Sequence, residues 1–102
     1  MSTADLLSYY QQALDLTRLM RVSVDSEDWD RFMQLEQKRR VLFETAKGLQ
    51  IEAGPEVQTL IRIILDEDQS MMTGVQAWMD ELRPVLSQMA NVRRLGQTYQ
   101  QK

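Results

Sequence analysis

The chain has 102 residues, of which 43% are apolar and 26% charged, with a formal charge of -3 and a pI of about 4.9. It holds no cysteine and no histidine, which removes disulfides, thiol chemistry, the usual zinc sites and any imidazole base. The acidic balance argues against direct nucleic-acid contact. Together with the lack of an apolar run near ~20 residues and of a signal peptide at Met1-Ser2-Thr3-Ala4-Asp5, it leads us to expect a cytosolic (cytoplasmic) protein without membrane insertion or cofactor.

No strand-like alternation bounded by turn signals occurs, so an all-helical chain is expected. A first helix is predicted over 3–24. Ser2 or Thr3 can cap it, and Asp5 suits the positive end of its dipole. Leu6, Tyr10, Ala13, Leu14, Thr17, Met20 and Val24 fall on one face, with Asp15 and Arg18 opposite and Leu19 off the stripe and exposed. Asp25-Ser26-Glu27-Asp28 is a short acidic break. Asp25 or Ser26 can cap a second helix over 27–47, with Glu27 and Asp28 in its first turn. The apolar face of that helix is Trp29, Phe32, Met33, Leu35, Leu42, Phe43 and Ala46. Lys47-Gly48 is the expected stop, with glycine as a left-handed cap. A loop over 49–54 then leads to Gly54-Pro55, the start of the third helix.

The rest of the chain is organised around the stretch that follows. Val57, Ile61, Ile64, Asp68, Met71, Val75, Trp78 and Leu82 alternate four- and three-residue steps, the pattern of a helix packing along a seam. Val85, Met89, Val92, Gly96 and Tyr99 keep the phase past Pro84. Proline removes a helical hydrogen bond and restrains the residue before it. The expectation is therefore a long third helix over 55–83, kinked or broken at Pro84, a short helical segment over 85–95, and a polar tail over 97–102. The fold class read from this is all-α, an antiparallel three-helix bundle forming a single domain over 1–102.

Length carries a further implication. The first two helices have roughly 21 residues each, ~30 Å at 1.5 Å per residue, so an antiparallel third helix reaches the far end of that hairpin near Ala77 or Trp78. Met79, Leu82, Val85, Leu86, Met89 and Val92 lie beyond it. This segment either folds back onto the bundle or meets another chain.

Asp68 falls near the middle of the apolar arc, and a carboxylate there needs a partner. The antiparallel count offers Arg39 or Arg40, a structural ion pair. No nucleophile, metal pattern or phosphate loop accompanies it, so no catalytic residue is assigned and the chain is not read as an enzyme. Asp66-Glu67-Asp68 lacks the glycine and spacing of a calcium loop. Lys38-Arg39-Arg40 and Arg93-Arg94 lack interleaved aromatics. Met20, Met33, Met71, Met79 and Met89 lie in the apolar pattern, which suits either core filling or an adaptable groove.

Several stretches resemble the FliT family of flagellar export chaperones. They are Trp29-Asp30 opening the second helix, Gln37-Lys38-Arg39-Arg40-x-Leu42, and Ile61-x-x-Ile64-Leu65-Asp66-x-Asp68. Gln76, Asp80-Glu81-Leu82, Gln88, Leu95 and Tyr99 follow. The resemblance covers most of the chain and implies a helical bundle that binds the flagellar filament-cap protein, keeps it soluble and unassembled, and passes it to the export apparatus or its ATPase complex. Some relatives also bind the flagellar master transcription regulator. In the family a C-terminal helical segment covers the binding surface; by position this is 91–102, with Leu95 and Tyr99 as apolar anchors. Residues and resemblance meet on one surface, Met71, Met72, Val75, Trp78, Met79, Leu82, Val85 and Met89, suited to an amphipathic helix from a partner. The alternative is an adaptor or structural protein that pairs its long helix with a copy of itself as a homodimer.

Overall fold

The computed structural model describes the backbone of residues 2–100 and the side chains of residues 2–89. All regular structure among the described residues is helical: α1 is Thr3–Asp25, α2 is Trp29–Gly48 and α3 is Pro55–Gln100. By their contacts the residues divide into two units, 1–72 and 73–102.

Ser2 is the residue that caps α1. Its backbone N–H donates to the Asp5 carboxylate at 3.1 Å, satisfying an otherwise unpaired donor at the helix entry. The break between α1 and α2 is built differently from the expectation. Glu27 takes a left-handed conformation (φ 56°). The N–H of Asp28 reaches back to the Ser23 carbonyl at 2.9 Å and that of Glu27 to Val24 at 3.1 Å, closing the last turn of α1 in a Schellman arrangement. This leaves Asp28, rather than Asp25 or Ser26, as the cap of α2. Its carboxylate accepts the Arg31 N–H at 3.2 Å, and the helix begins at Trp29 rather than at Glu27.

At the other end of α2 the expected glycine cap is displaced. Gly48 is the last helical residue, and the left-handed conformation falls on Gln50 (φ 54°). The carbonyls of Ala46 and Lys47 accept the Leu49 and Gln50 N–H groups, both at 3.2 Å. Pro55 opens α3, where its missing N–H costs nothing. The helix is not broken at Pro84, which lies inside it, and it extends to Gln100 instead of giving way to a tail at 97.

The first unit buries its apolar stripe in layers. Leu6, Ala46 and Val57 form one, with Leu49, Ile51 and Ala53 of the loop folded onto it. Ala13, Leu14 and Ile64 form the next, backed by Leu42 and Phe43. Thr17 then meets Arg39, which meets Asp68, and Arg21 meets Glu67. Followed from Leu6 to Thr17, α1 finds partners on α2 that fall from Ala46 to Arg39. Its partners on α3 rise from Val57 to Asp68 at the same time. Met20, Ser23 and Val24 continue the buried face of α1. Leu19 is 42% exposed, as its place off the stripe implies. Met33 departs from the reading: it is 56% exposed, so the buried face of α2 is Leu35 and Ala46 with half-buried aromatics beside them.

Candidate functional site

Fully polar-satisfied packing surrounds Asp68. Its carboxylate accepts from Arg39 Nη1 at 2.6 Å, and the same nitrogen donates to Thr17 Oγ1 at 3.0 Å. The Thr17 hydroxyl in turn donates to the Ala13 carbonyl at 2.7 Å. The Arg39 guanidinium stands 5.4 Å from the centre of the Phe43 ring, which itself tilts against Tyr10 at 6.1 Å. Of the two arginines offered by the antiparallel count, Arg39 is the partner of Asp68. Arg40 turns outward to Glu36 at 2.7 Å, an i,i+4 pair on its own helix. Each member of the inner cluster thus serves another: Arg39 holds Asp68 and Thr17, and Thr17 holds the Ala13 carbonyl.

A second ion pair joins α1 to α3. Arg21 Nη1 donates to Glu67 at 2.9 Å, and that hydrogen bond, ahead of the attraction of the charge itself, raises the Arg21 guanidinium above its ordinary pKa. A raised base contributes its stabilisation below its unfolded pKa and loses it only above. The pair is therefore insensitive to pH across the neutral range. Among the described residues no group of three or more acidic, histidine or cysteine side chains can hold a metal ion. No described helix is long and apolar enough to cross a membrane.

The seam of α3 changes character along its length. Within residues 1–72, Val57, Ile64 and Met71 are buried and Ile61 and Asp68 half-buried. Within residues 73–89, Val75, Trp78 and Leu82 are half-buried and Val85 and Met89 exposed. Met71, expected on a partner surface, is 5% exposed and belongs to the core of the first unit. Met72 is 59% exposed there. In the second unit Met79, Val85, Leu86 and Met89 are each half exposed or more, at 52, 50, 60 and 52%. Three polar side chains of that stretch engage one another: Gln76 donates to Asp80 at 3.1 Å, and Arg83 lies 3.5 Å from Asp80. Leu95 and Tyr99, the expected covering residues, lie outside the described side chains.

Two residues escaped the sequence-derived site. Leu65, 61% exposed, and Leu86 lie beside the seam rather than in it. The signal for them was a second period: Leu65, Met72, Met79 and Leu86 recur every seven residues, one helical position past the seam.

Two of the open grooves of the first unit border α2. One, of about 520 Å³, is lined by Gln12, Asp15, Leu16, Lys38, Val41 and Leu42 of α1 and α2. The other, of about 240 Å³, is lined by Tyr10, Phe43, Ile61, Ile64, Leu65 and Asp68, with Leu65 at its open edge. Both are apolar clefts with one or two charged side chains among their lining residues.

No curated protein and no solved structure matches the chain. The family model described as Flagellar protein FliT matches residues 7–101. That match spans α1, α2 and α3 together. The chain belongs to the FliT family of flagellar export chaperones.

Proposed function

We propose that this chain binds the flagellar filament-cap protein in the cytosol and keeps it soluble and unassembled until export. The observation that carries the reading is the row of exposed apolar side chains within residues 73–89: Met79, Val85, Leu86 and Met89. Apolar side chains at helical spacing and half exposed to water are an interaction surface in a helical protein. The client offers an amphipathic helix, and Met72, Val75, Trp78, Met79, Leu82, Val85 and Met89 receive its apolar face. Methionine suits such a surface because its flexible thioether adapts to different shapes. The export apparatus or its ATPase complex receives the loaded chaperone, and the flagellar master regulator is a second client of the same surface.

In this reading the first unit is the scaffold. The opposed order of partners along α1, with α2 numbers falling while α3 numbers rise, supports reading it as an antiparallel three-helix bundle. It sits within a single domain over 1–102, Pro84 kinking α3 and the residues around Leu95 and Tyr99 limiting access to the surface.

Calorimetric titration with the C-terminal segment of the cap protein tests this. Full-length protein binds, a version ending at Asn91 binds more tightly, and Trp78→Ala with Met79→Ala weakens binding by roughly tenfold or more. No binding by either length overturns the cap-protein assignment. Light scattering alongside it decides the alternative: a concentration-independent dimer that does not bind the segment is the signature of a homodimeric adaptor.

A further inference from the structure

We propose that Met79 and Met89 are oxidation sites: a two-electron oxidant of the hydroperoxide class converts their thioethers to sulfoxides, and the apolar surface within residues 73–89 then loses its hold on a client helix. The inference rests on the reading of that surface as the client site and adds the chemistry that regulates it.

The chain has seven methionines and no cysteine. Thioethers are therefore its only sulfur centres, and no thiol competes with them for the oxidant. Burial sorts the methionines. Met20 and Met71 are core residues, closed to solvent. Met33, Met72, Met79 and Met89 each have more than half of their surface in water. Of these, Met33 lies on α2 and Met72 in the first unit, whereas Met79 and Met89 belong to the stretch in which the apolar face of α3 stays open.

On a helix the neighbours of a side chain stand three and four positions away. For Met79 they include Val75 and Leu82, and for Met89 they include Val85 and Leu86. Gln76 and Arg83 also flank Met79, but both engage Asp80, at 3.1 and 3.5 Å. A sulfoxide at either sulfur is thus a strong acceptor set into an apolar row. Water satisfies it in the free chain, because both side chains are half exposed. A docked helix strips that water away and brings apolar side chains in its place, so the polar oxygen is left unmet only in the complex. The modification therefore acts on binding and leaves the fold alone.

In the reaction the sulfur lone pair attacks one oxygen of hydrogen peroxide. The O–O bond breaks, an S–O bond forms, and the proton on the new S–OH group passes to the departing hydroxide, which leaves as water. Sulfur gives up two electrons and the peroxide takes them. A thiol-dependent sulfoxide reductase returns the thioether.

The test treats the full chain with hydrogen peroxide. Peptide mapping by mass spectrometry, with fragment ions separating Met71 from Met72, finds Met33, Met72, Met79 and Met89 oxidised at least about tenfold faster than Met20 and Met71. The oxidised chain keeps its helicity and its denaturation midpoint. It binds two probes, the cap-protein segment and a synthetic amphipathic peptide of about 18 residues with a leucine row, about tenfold more weakly. Sulfoxide reductase restores both. Met79→Leu with Met89→Leu keeps size and shape without an oxidisable sulfur; it binds as the wild type does and, after peroxide, stays within about threefold, the remainder belonging to Met72. Met33→Leu remains fully sensitive. Unchanged affinity after oxidation, equal sensitivity in the double leucine variant, or a midpoint that falls together with binding overturns the proposal.

The two probes separate this inference from the function it rests on. If the segment binds equally before and after oxidation, the oxidation switch fails and the cap-chaperone reading stands. If the segment does not bind, yet oxidation weakens the leucine peptide and the double variant resists, the cap-protein assignment fails and the switch stands. If neither probe binds the untreated chain, the surface is no client site and both fall.

Discussion

Residues 55–72 and 73–89 belong to one helix and carry one apolar period, yet they meet opposite fates. In the first stretch the seam positions Val57, Ile64 and Met71 are buried at 1, 3 and 5% exposure. In the second no described residue is buried, and Val85 and Met89 remain half exposed. The difference lies in what stands opposite. Leu6 and Ala46 meet Val57, and Ala13 and Leu14 meet Ile64. A heptad thus says which face of a helix is apolar, and the neighbouring elements decide whether that face becomes core or docking surface. In a chaperone the second outcome is the useful one, because a surface already satisfied has little to offer a client.

The comparison breaks most visibly on truncation of matched residues. Ile64→Ala removes buried methylenes between α1 and α3 and destabilises the chain by about 2–4 kcal/mol in chemical denaturation. Leu86→Ala, at 60% exposure, changes stability by no more than about 0.5 kcal/mol. An equal loss at the two sites would mean that residues 73–89 are as covered as the core. Pro84 sharpens the contrast from the other side. Inside a helix it forfeits a hydrogen bond and crowds the preceding turn, at about 3 kcal/mol relative to alanine. Pro84→Ala therefore raises amide-exchange protection across residues 73–89 by up to that amount, while the denaturation midpoint of residues 1–72 stays in place. A midpoint that rises with it would show the two stretches unfolding together.

A smaller effect tests the polar part of the core. Asp68→Asn leaves the Arg39 guanidinium, whose side chain is only 14% exposed, with the neutral Thr17 hydroxyl and a neutral amide in place of a carboxylate. Full burial of such a pair would make its rupture worth several kcal/mol. Asp68 is 33% exposed, so water compensates in part and the expected loss is about 1–2 kcal/mol. Wild-type stability in the variant would remove the ion pair from the account of the core.

Where the sequence was legible, a strong period and a single dominant partner coincided. The buried face of α1, the start of α3 at Pro55 and the need of Asp68 for an arginine all followed from spacing alone. The end of α1 did not, because Asp25, Ser26 and Asp28 are all good caps and side-chain preference cannot rank them. The choice was made by backbone hydrogen bonds from Glu27 and Asp28 to the last turn of α1, which carry no side-chain signature. Gly48 misled for the same reason: glycine permits a left-handed turn without requiring one, and Gln50 took it. Met33 fits the apolar pattern of α2 but faces water, since α1 and α3 cover only the side bearing Leu35 and Ala46. In the candidate site the seam hid its neighbour. Leu65 lies one position past the seam residue Ile64, and Leu86, named only for its place beyond the hairpin, lies one past Val85; the four-three alternation selects the positions that pack and skips the exposed ones beside them.

The smallest effect concerns the joint that brings α1 and α2 together. Glu27 sits at φ 56°, where its Cβ crowds the backbone and a non-glycine residue is disfavoured by about 1–3 kcal/mol. The side chain is exposed and makes no ion pair among the described residues, so its removal costs little. Glycine relieves the crowding but brings more freedom to the unfolded chain, a loss of about 0.5–1 kcal/mol. Glu27→Gly is therefore stabilising by about 0.5–1 kcal/mol, read as a higher denaturation midpoint with unchanged slope. Its benefit belongs to residues 1–72, the unit that α1 and α2 build, and exchange protection across residues 73–89 should not follow it. A variant that also protected residues 73–89 would show that the joint and that stretch of α3 do not open independently.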